Sequence, residues 1–432
     1  MATKLNIVHI ICHDLGQHLG CYGGPDVFSP NLDQLAAGGV RFANCFTASP
    51  PCSPARACIM TGRYAHSNGQ VGLAHRGFEL PEAEMTVVDY FNAAGYLTAN
   101  IGVQHERCDP LRNRYQADDH ESPNCEIVAA KARAFLSSRE SEPSAPFYLN
   151  LGFREVHLPF TRPEYAPDGP DRVVVPPWLP DNHGVREELA RCIGAIRFMD
   201  QSVGDVLAAI AQASLCRNTL VMFTTDHGMA FPRAKGMLYD PGIGTALIMR
   251  MPPGEGLSGA VATELVSSID IAPTLLAAAG IEPGGNMQGV SFFGLLTGRA
   301  YRPRDCVFSE KNYHDSYDPI RAIRTERHKH LRNYECRPKI ILASDLKKSI
   351  ASAEMWPWAN EERPAEELYD LTADPYEMDN LAGSPELTGI RAELSRRLSE
   401  WMAETGDPLL HGPVAAPAGA RVDPPDLPAD CA

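Results

Sequence analysis

Two features are missing from this chain of 432 residues: a CxxC pair and any apolar run approaching the length of a membrane span. Their absence argues against a disulfide scaffold and a helical membrane anchor. The twelve cysteines, at 12, 21, 45, 52, 58, 108, 125, 192, 216, 306, 336 and 431, are scattered and are expected to be mostly reduced thiols. Positive charge is also scarce. Lys and Arg number 39 against 54 Asp and Glu, a formal net charge of -15, which argues against a nucleic-acid surface. A local basic pocket for an anionic substrate remains compatible with that balance. An export leader is not legible either: Met1-Ala2-Thr3-Lys4 runs straight into the strand-like Leu5–Cys12, so a cytoplasmic protein without membrane or nucleic-acid partners is expected.

What is present is a chain with 44% hydrophobic residues, enough for a large core. Strand-like stretches at Leu5–Cys12, Leu97–Val103, Phe147–Phe153, Thr219–Thr225 and Ala246–Met251 alternate with helical ones. The helical ones are a capped helix opening at Ser29-Pro30, then Thr86–Gly95, Glu126–Ser138, Val185–Leu215 and Ile269–Ala279. The alternation predicts an α/β fold, with a large, mostly parallel sheet covered by helices on both faces. Residues 301–411 read differently. Hairpin strands at 320–325 and 328–334, a further strand at 367–371 and a helix over 385–405 predict a small α+β unit with an antiparallel sheet, following a catalytic domain over 1–300. Residues 412–432 are rich in Pro and Ala and predict an extended tail, available to embrace a second copy in a homo-oligomer.

The chemistry concentrates in Pro51-Cys52-Ser53-Pro54-Ala55-Arg56, the opening of a short helix that Gly62 stops. Cys52 sits where free N–H groups and the helix dipole favour an anion, and Arg56 follows one turn later. In parallel α/β sheets, sites form at the carboxyl ends of the strands. Here those ends deliver His13-Asp14, Gln104-His105, Glu155-Val156-His157 and Asp226-His227. Asp14 with Asp226 and His227 supplies the charge for a divalent cation, and His13 is open as a further ligand. His105 and His157 are acid/base candidates, because breaking a bond to an anionic group requires protonation of the leaving atom. Lys235 lies in the Gly- and Pro-containing loop after Asp226, able to fold back over the site.

Cys52-x-Pro54-x-Arg56, followed after four residues by Thr61-Gly62, resembles the signature of type I sulfatases of the alkaline phosphatase superfamily. The resemblance implies conversion of Cys52 to formylglycine by a formylglycine-generating enzyme. It also implies one divalent metal at Asp14, Asp226, His227 and the modified Cys52, and a small sulfated sugar or aryl substrate. The implied mechanism has a hydrated aldehyde attacking sulfur while Arg56 and Lys235 hold the transferring oxygens. Several positions depart from the usual pattern: His13-Asp14 replaces Asp-Asp, Asp226-His227-Gly228 replaces Asp-Asn-Gly, and Val103 replaces a sulfate-binding lysine. Gln104 or Lys235 is the expected substitute, and the metal stays open between calcium and manganese. Tyr313-His314-Asp315, ahead of Asp318-Pro319 and Arg321, resembles the substrate-facing loop of N-sulfoglucosamine sulfohydrolases, which makes His314, Asp315 and Arg321 candidate substrate contacts. A phosphonate monoester or phosphodiester hydrolase and an inactive sulfate-binding protein are the competing readings.

Overall fold

Seven consecutive residues, Asn6–Cys12, are buried along a strand that has neighbours on both sides and helices on both faces. Such a position selects a continuous apolar run over a strict polar alternation. The computed structural model describes residues 4–141 and 145–428. In chain order its strands are β1 (Asn6–Cys12), β2 (Val40–Phe42), β3 (Cys45–Phe46), β4 (Leu97–Gly102), β5 (Ala117–Asp119), β6 (Phe147–Gly152), β7 (Thr219–Thr225), β8 (Leu247–Arg250), β9 (Ala260–Ala262) and β10 (Val266–Ser267). Eight of them form one sheet in the order β5-β4-β6-β1-β7-β8-β2-β9. The run from β5 to β7 is wholly parallel, while β8 is antiparallel to both its neighbours. The expected large, mostly parallel sheet is therefore present.

Side-chain alternation along β1 divides the core in two. Val8, Ile10 and Cys12 point into one apolar cluster with residues of the helices Cys125–Ser141 and His183–Gln212. Ile7 and Ile11 point into the other, with residues of Val87–Ala93 and Ile271–Ala278. Observed helix limits differ from the sequence expectations by a few residues, as fraying ends do. Two differences have a physical cause. The helix α2, Cys52–Thr61, starts at Cys52 itself because Pro51 takes the extended cap conformation, and it stops at Gly62 with φ of 67°. Before α2, the helix α1 (Pro30–Ala37) lacks the expected side-chain cap, since the Ser29 hydroxyl donates to Asp33 instead.

The remaining strands, β11 (Cys306–Tyr313), β12 (Tyr317–Thr325), β13 (His328–Asn333) and β14 (Glu366–Asp370), form an antiparallel sheet in sequential order. The helix Thr388–Glu404 covers it through Leu394, Leu398 and Trp401. Met237, Leu238, Tyr239 and Ile243, from the loop after β7, pack against Val307, Ile320 and Leu331 of this sheet. That loop is thus clamped between the two sheets.

The segment from Gly412, expected as an extended tail, packs on its own chain: Val414 is buried with Val71, Phe78 and Tyr313, the Tyr313 hydroxyl donates to Val414 O at 2.6 Å, and Arg421 N donates to Arg76 O. It forms a strap across its own chain, with residues 429–432 outside the described ones. As expected of mostly reduced thiols, ten of the cysteines are free; Cys336 is disulfide-bonded, and Cys431 lies outside the described residues.

Candidate active site

β4, β6, β1 and β7 are adjacent, so their carboxyl ends open on one edge, and the residues that follow them converge there. Asp14 is held in the left-handed region at φ of 51°, unusual for a side chain with a Cβ. Its N–H donates to Asp226 Oδ1 at 3.0 Å, and Gly16 N–H donates to His227 O at 2.9 Å, so the turns after β1 and β7 fix each other. Gly228 is required by proximity, as a Cβ there would lie 1.9 Å from Pro241 O. The N-terminus of α2 meets these turns. Cys52 Sγ is 3.3 Å from His227 Nε2, and Arg56 Nε donates to Asp226 Oδ2 at 3.3 Å.

His13, Asp14, Cys52 and Asp226 each place a ligand atom within 4.8 Å of the others. His227 Nε2 lies 3.2 Å from Asp14 Oδ1, and its Nδ1 is 2.9 Å from Gly228 O. That carbonyl accepts the Nδ1 proton, and Nε2 faces a carboxylate oxygen and sulfur. Asp14 Oδ1 is buried and has no hydrogen-bond donor. A buried, ionised Asp14 oxygen without a donor, ringed by imidazole nitrogen, a second carboxylate and sulfur, fits a cation among them, so the donor set suits a divalent metal.

Electrostatics follow from burial. His13, Asp14, Arg56, Asp226, His227 and Lys235 are all nearly inaccessible to water. Burial pushes the Asp14 and Asp226 carboxyls up, but Lys235, His157 and His227 outweigh it at Asp14, and His227, His13 and Arg56 outweigh it at Asp226, so both stay ionised below the usual range. Burial, helped by Arg56, pushes His13 down to about 3. His105 is pushed well below its ordinary value by burial, then by His13 and Arg56. The Cys52 thiol is pushed well up, first by burial and then by Asp14 and Asp226 against the opposing Lys235. The helix start therefore does not make Cys52 a thiolate; nearby carboxylates and desolvation override the dipole.

Lys235 Nζ donates to Asp14 Oδ2 at 2.7 Å and to Asp345 Oδ2 at 2.6 Å, with His157 Nε2 at 3.2 Å. His157 Nδ1 is 2.6 Å from Leu158 O, and the His13 ring meets those of His105 and His157 edge-on at 4.8 and 5.6 Å. Cys52, Arg56, His105, His157, Lys235, His13, Asp14, Asp226 and His227 are thus brought together. Two expected contacts are not. The Gln104 amide turns back to bond Arg107 N and O within its own loop, so it does not replace the lysine absent at Val103. Arg321 is fully buried in the antiparallel sheet, forked onto Asp407 with further bonds to Asn312 Oδ1 and the Lys311 carbonyl, and it holds that sheet together instead of facing a substrate. His314 and Asp315 do approach from β11, beside Gly236 and Lys235. Asp345 was not anticipated: it lies in a stretch with no hydrophobic period, and only the tertiary fold reveals its place on Lys235.

The sulfatase family model matches residues 5–281, and the model described as N-sulphoglucosamine sulphohydrolase, C-terminal, matches residues 227–354. An ulvan-active sulfatase of Formosa agariphila is 28% identical, with 94% of this chain and 76% of the relative covered. Human N-sulphoglucosamine sulphohydrolase is 27% identical, with 95% and 92% covered. Among solved structures, a 2-O GAG sulfatase superposes with a TM-score of 0.74 at 22% identity, covering 99% of this chain and 98% of its own. A phosphonate monoester hydrolase from Silicibacter pomeroyi also gives 0.74, at 20% identity and with 97% and 99% covered, so the two likenesses show a shared fold and not a shared substrate. With the family match spanning more than half its length and the Cys52 helix seated at the strand ends, the chain belongs to the sulfatase family, hydrolases of sulfate esters and N-sulfates.

Proposed function

We propose that this protein hydrolyses a sulfate ester or N-sulfate of a small amino sugar, with Cys52 converted to formylglycine as its nucleophile. The observation that carries the reading is the position of Cys52: a buried helix start, 3.3 Å from His227 and within reach of His13, Asp14 and Asp226. The amino-sugar part is supported by the match over 227–354 and by the human relative.

Asp14, Asp226 and His227, with His13 as a further candidate and the modified Cys52, would hold one calcium or manganese ion. Such an ion and the formylglycine supply Lewis acidity and a hydrated carbonyl nucleophile. The chain's own groups do the rest. Arg56 and Lys235 present cations to the developing negative charge, in a site from which water is excluded. His157, with Nδ1 engaged by a carbonyl, offers Nε2 beside Lys235 to move a proton to or from the leaving atom, and His105 stands behind His13 as the second candidate.

Mass spectrometry of the peptide spanning Cys52, from protein matured in its own host, tests the reading. The thiol mass is expected to be replaced by that of the aldehyde, and an unmodified cysteine in active protein would sink it. The second reading, a phosphonate or phosphodiester hydrolase, is favoured by the Asp226-His227 pair and by Val103 in place of lysine. Rates on an aryl sulfate against an aryl phosphodiester separate the two, with the sulfate expected to win. Turnover abolished by Cys52→Ala would reject a merely sulfate-binding protein.

A further inference from the structure

Between β1 and α1 the chain folds back on itself, with Gly24 N–H donating to Leu19 O at 3.0 Å, and this loop brings His18 and Asp26 to one cavity. Asp26 Oδ2 accepts Val174 N–H at 2.8 Å, while Oδ1 is buried and has no hydrogen-bond donor. His18 Nε2 is buried and without a partner as well. Burial, against the pull of Asp26, holds the imidazole below its ordinary value and therefore neutral. The charge these two residues bring is that of one carboxylate with an unused oxygen. Such an oxygen is costly to bury without a donor.

The cavity has a volume of about 410 Å³, within the roughly 300–1,000 Å³ of small-molecule sites. One or two waters, at about 30 Å³ each, would satisfy both polar atoms and leave most of it unfilled. The buried Trp178 and the 37% exposed Tyr376 line it too. Among the described residues no lysine or arginine does, and the carboxylate of Asp240, also in the lining, is committed to Arg324 and Lys329. An anion would face Asp26 with nothing to balance it. A cation on a carbon skeleton would meet a carboxylate and aromatic faces, the combination that holds ammonium groups. The cavity borders the active site but is built from other side chains. Gly16, whose N–H donates to His227 O, and Met229 belong to its wall, whereas Asp14, Cys52, His157, Asp226 and Lys235 do not.

We propose that this cavity binds a small organic ammonium ion, whose N–H groups donate to Asp26 Oδ1 while its carbon skeleton lies against Trp178 and Tyr376. The site is separate from the groups assigned to sulfate and metal, and it does not depend on the sulfatase reading.

The test is calorimetric titration of the full chain with cyclohexylamine at about pH 7.5, where an alkylamine is protonated, against cyclohexanol as its neutral twin. Wild type, Asp26→Asn, Tyr376→Ala, Tyr376→Phe and Lys235→Ala are compared, with thermal unfolding checked for each. Wild type is expected to bind the ammonium saturably, with a dissociation constant of about 1 mM or below, and not to bind the alcohol over the same range. Asp26→Asn keeps an acceptor for Val174 N–H but loses the charge, and is expected to weaken binding about tenfold or more. Tyr376→Ala is expected to weaken it about threefold and Tyr376→Phe to restore it. Should Asp26→Asn fail to fold, the pair at Tyr376 decides. Lys235→Ala, in the catalytic site, is expected to leave binding within about twofold. Binding that is absent from wild type, that cyclohexanol matches, or that survives Asp26→Asn would overturn the site. Binding lost in Lys235→Ala but kept in Asp26→Asn would place the cation at the catalytic carboxylates and overturn it too. Turnover does not enter the readout, so failure of this site and failure of the sulfatase reading are told apart.

Discussion

At the scale of single residues, Arg321 decides between two meanings of one pattern. Its guanidinium is fully buried, forked onto Asp407 and 3.5 Å from Glu310. Arg321→Ala would leave the buried Asp407 carboxylate without its cation, while Glu310 keeps His66, a loss of about 3–5 kcal/mol. Urea denaturation is expected to show that loss, or no folded protein at all. A stable variant with only a raised KM would restore Arg321 as a substrate contact. Asp345 is the opposite case, a residue whose meaning lies wholly in Lys235 Nζ, 110 positions away in sequence.

At the scale of elements, the strap from Gly412 closes an apolar patch. Deleting residues 413–432 would uncover Val71, Phe78 and Tyr313, free Arg76 of Asp423, and destabilise the fold by roughly 2–4 kcal/mol. Calorimetry is expected to show a lower melting temperature with the first transition otherwise intact; an unchanged melt would mean that the strap is not seated in solution. Much at this scale was legible in advance. The apolar runs of β1 and β7, the stop at Gly62 and the convergence of strand ends on Cys52 follow from local pattern. The seat of the strap was not legible, because Pro- and Ala-rich composition says how a segment leaves a domain and not what it meets. Nor was Arg321: Asp-Pro-x-Arg reads the same whether the arginine faces a substrate or a partner 86 residues away.

At the scale of the whole molecule, the two sheets are joined by a charged bolt. Asp240, which follows the site loop, meets Arg324 and Lys329 of the antiparallel sheet, and Lys329 Nζ also reaches Glu377 Oε1 at 2.8 Å. Burial, then the charge of Asp240, raises the Glu377 carboxyl to about 7 despite Lys329. An unfolded glutamate ionises near 4.5, so between about pH 4.5 and 7 the unfolded state sheds a proton that the folded state keeps. Folding stability from this group therefore falls as pH rises through that window and is level above it, by at most about 3 kcal/mol. Denaturant titrations at pH 5 and pH 8 are expected to show a smaller fall in Glu377→Gln than in wild type; an equal fall would refute the assignment.

Every residue of α2, from Cys52 to Thr61, is buried, and the strands, the site loop and the neighbouring turns close around it. On the proposed reading, a modifying enzyme would have no route to Cys52 once the sheet has formed, so conversion would have to run ahead of folding. The proportion of converted chains would then be a kinetic record, a race between catalysis on an open chain and collapse of the core. Slower folding, through lower temperature or reduced synthesis rate, would raise the active fraction of a preparation without altering a single contact in the finished molecule.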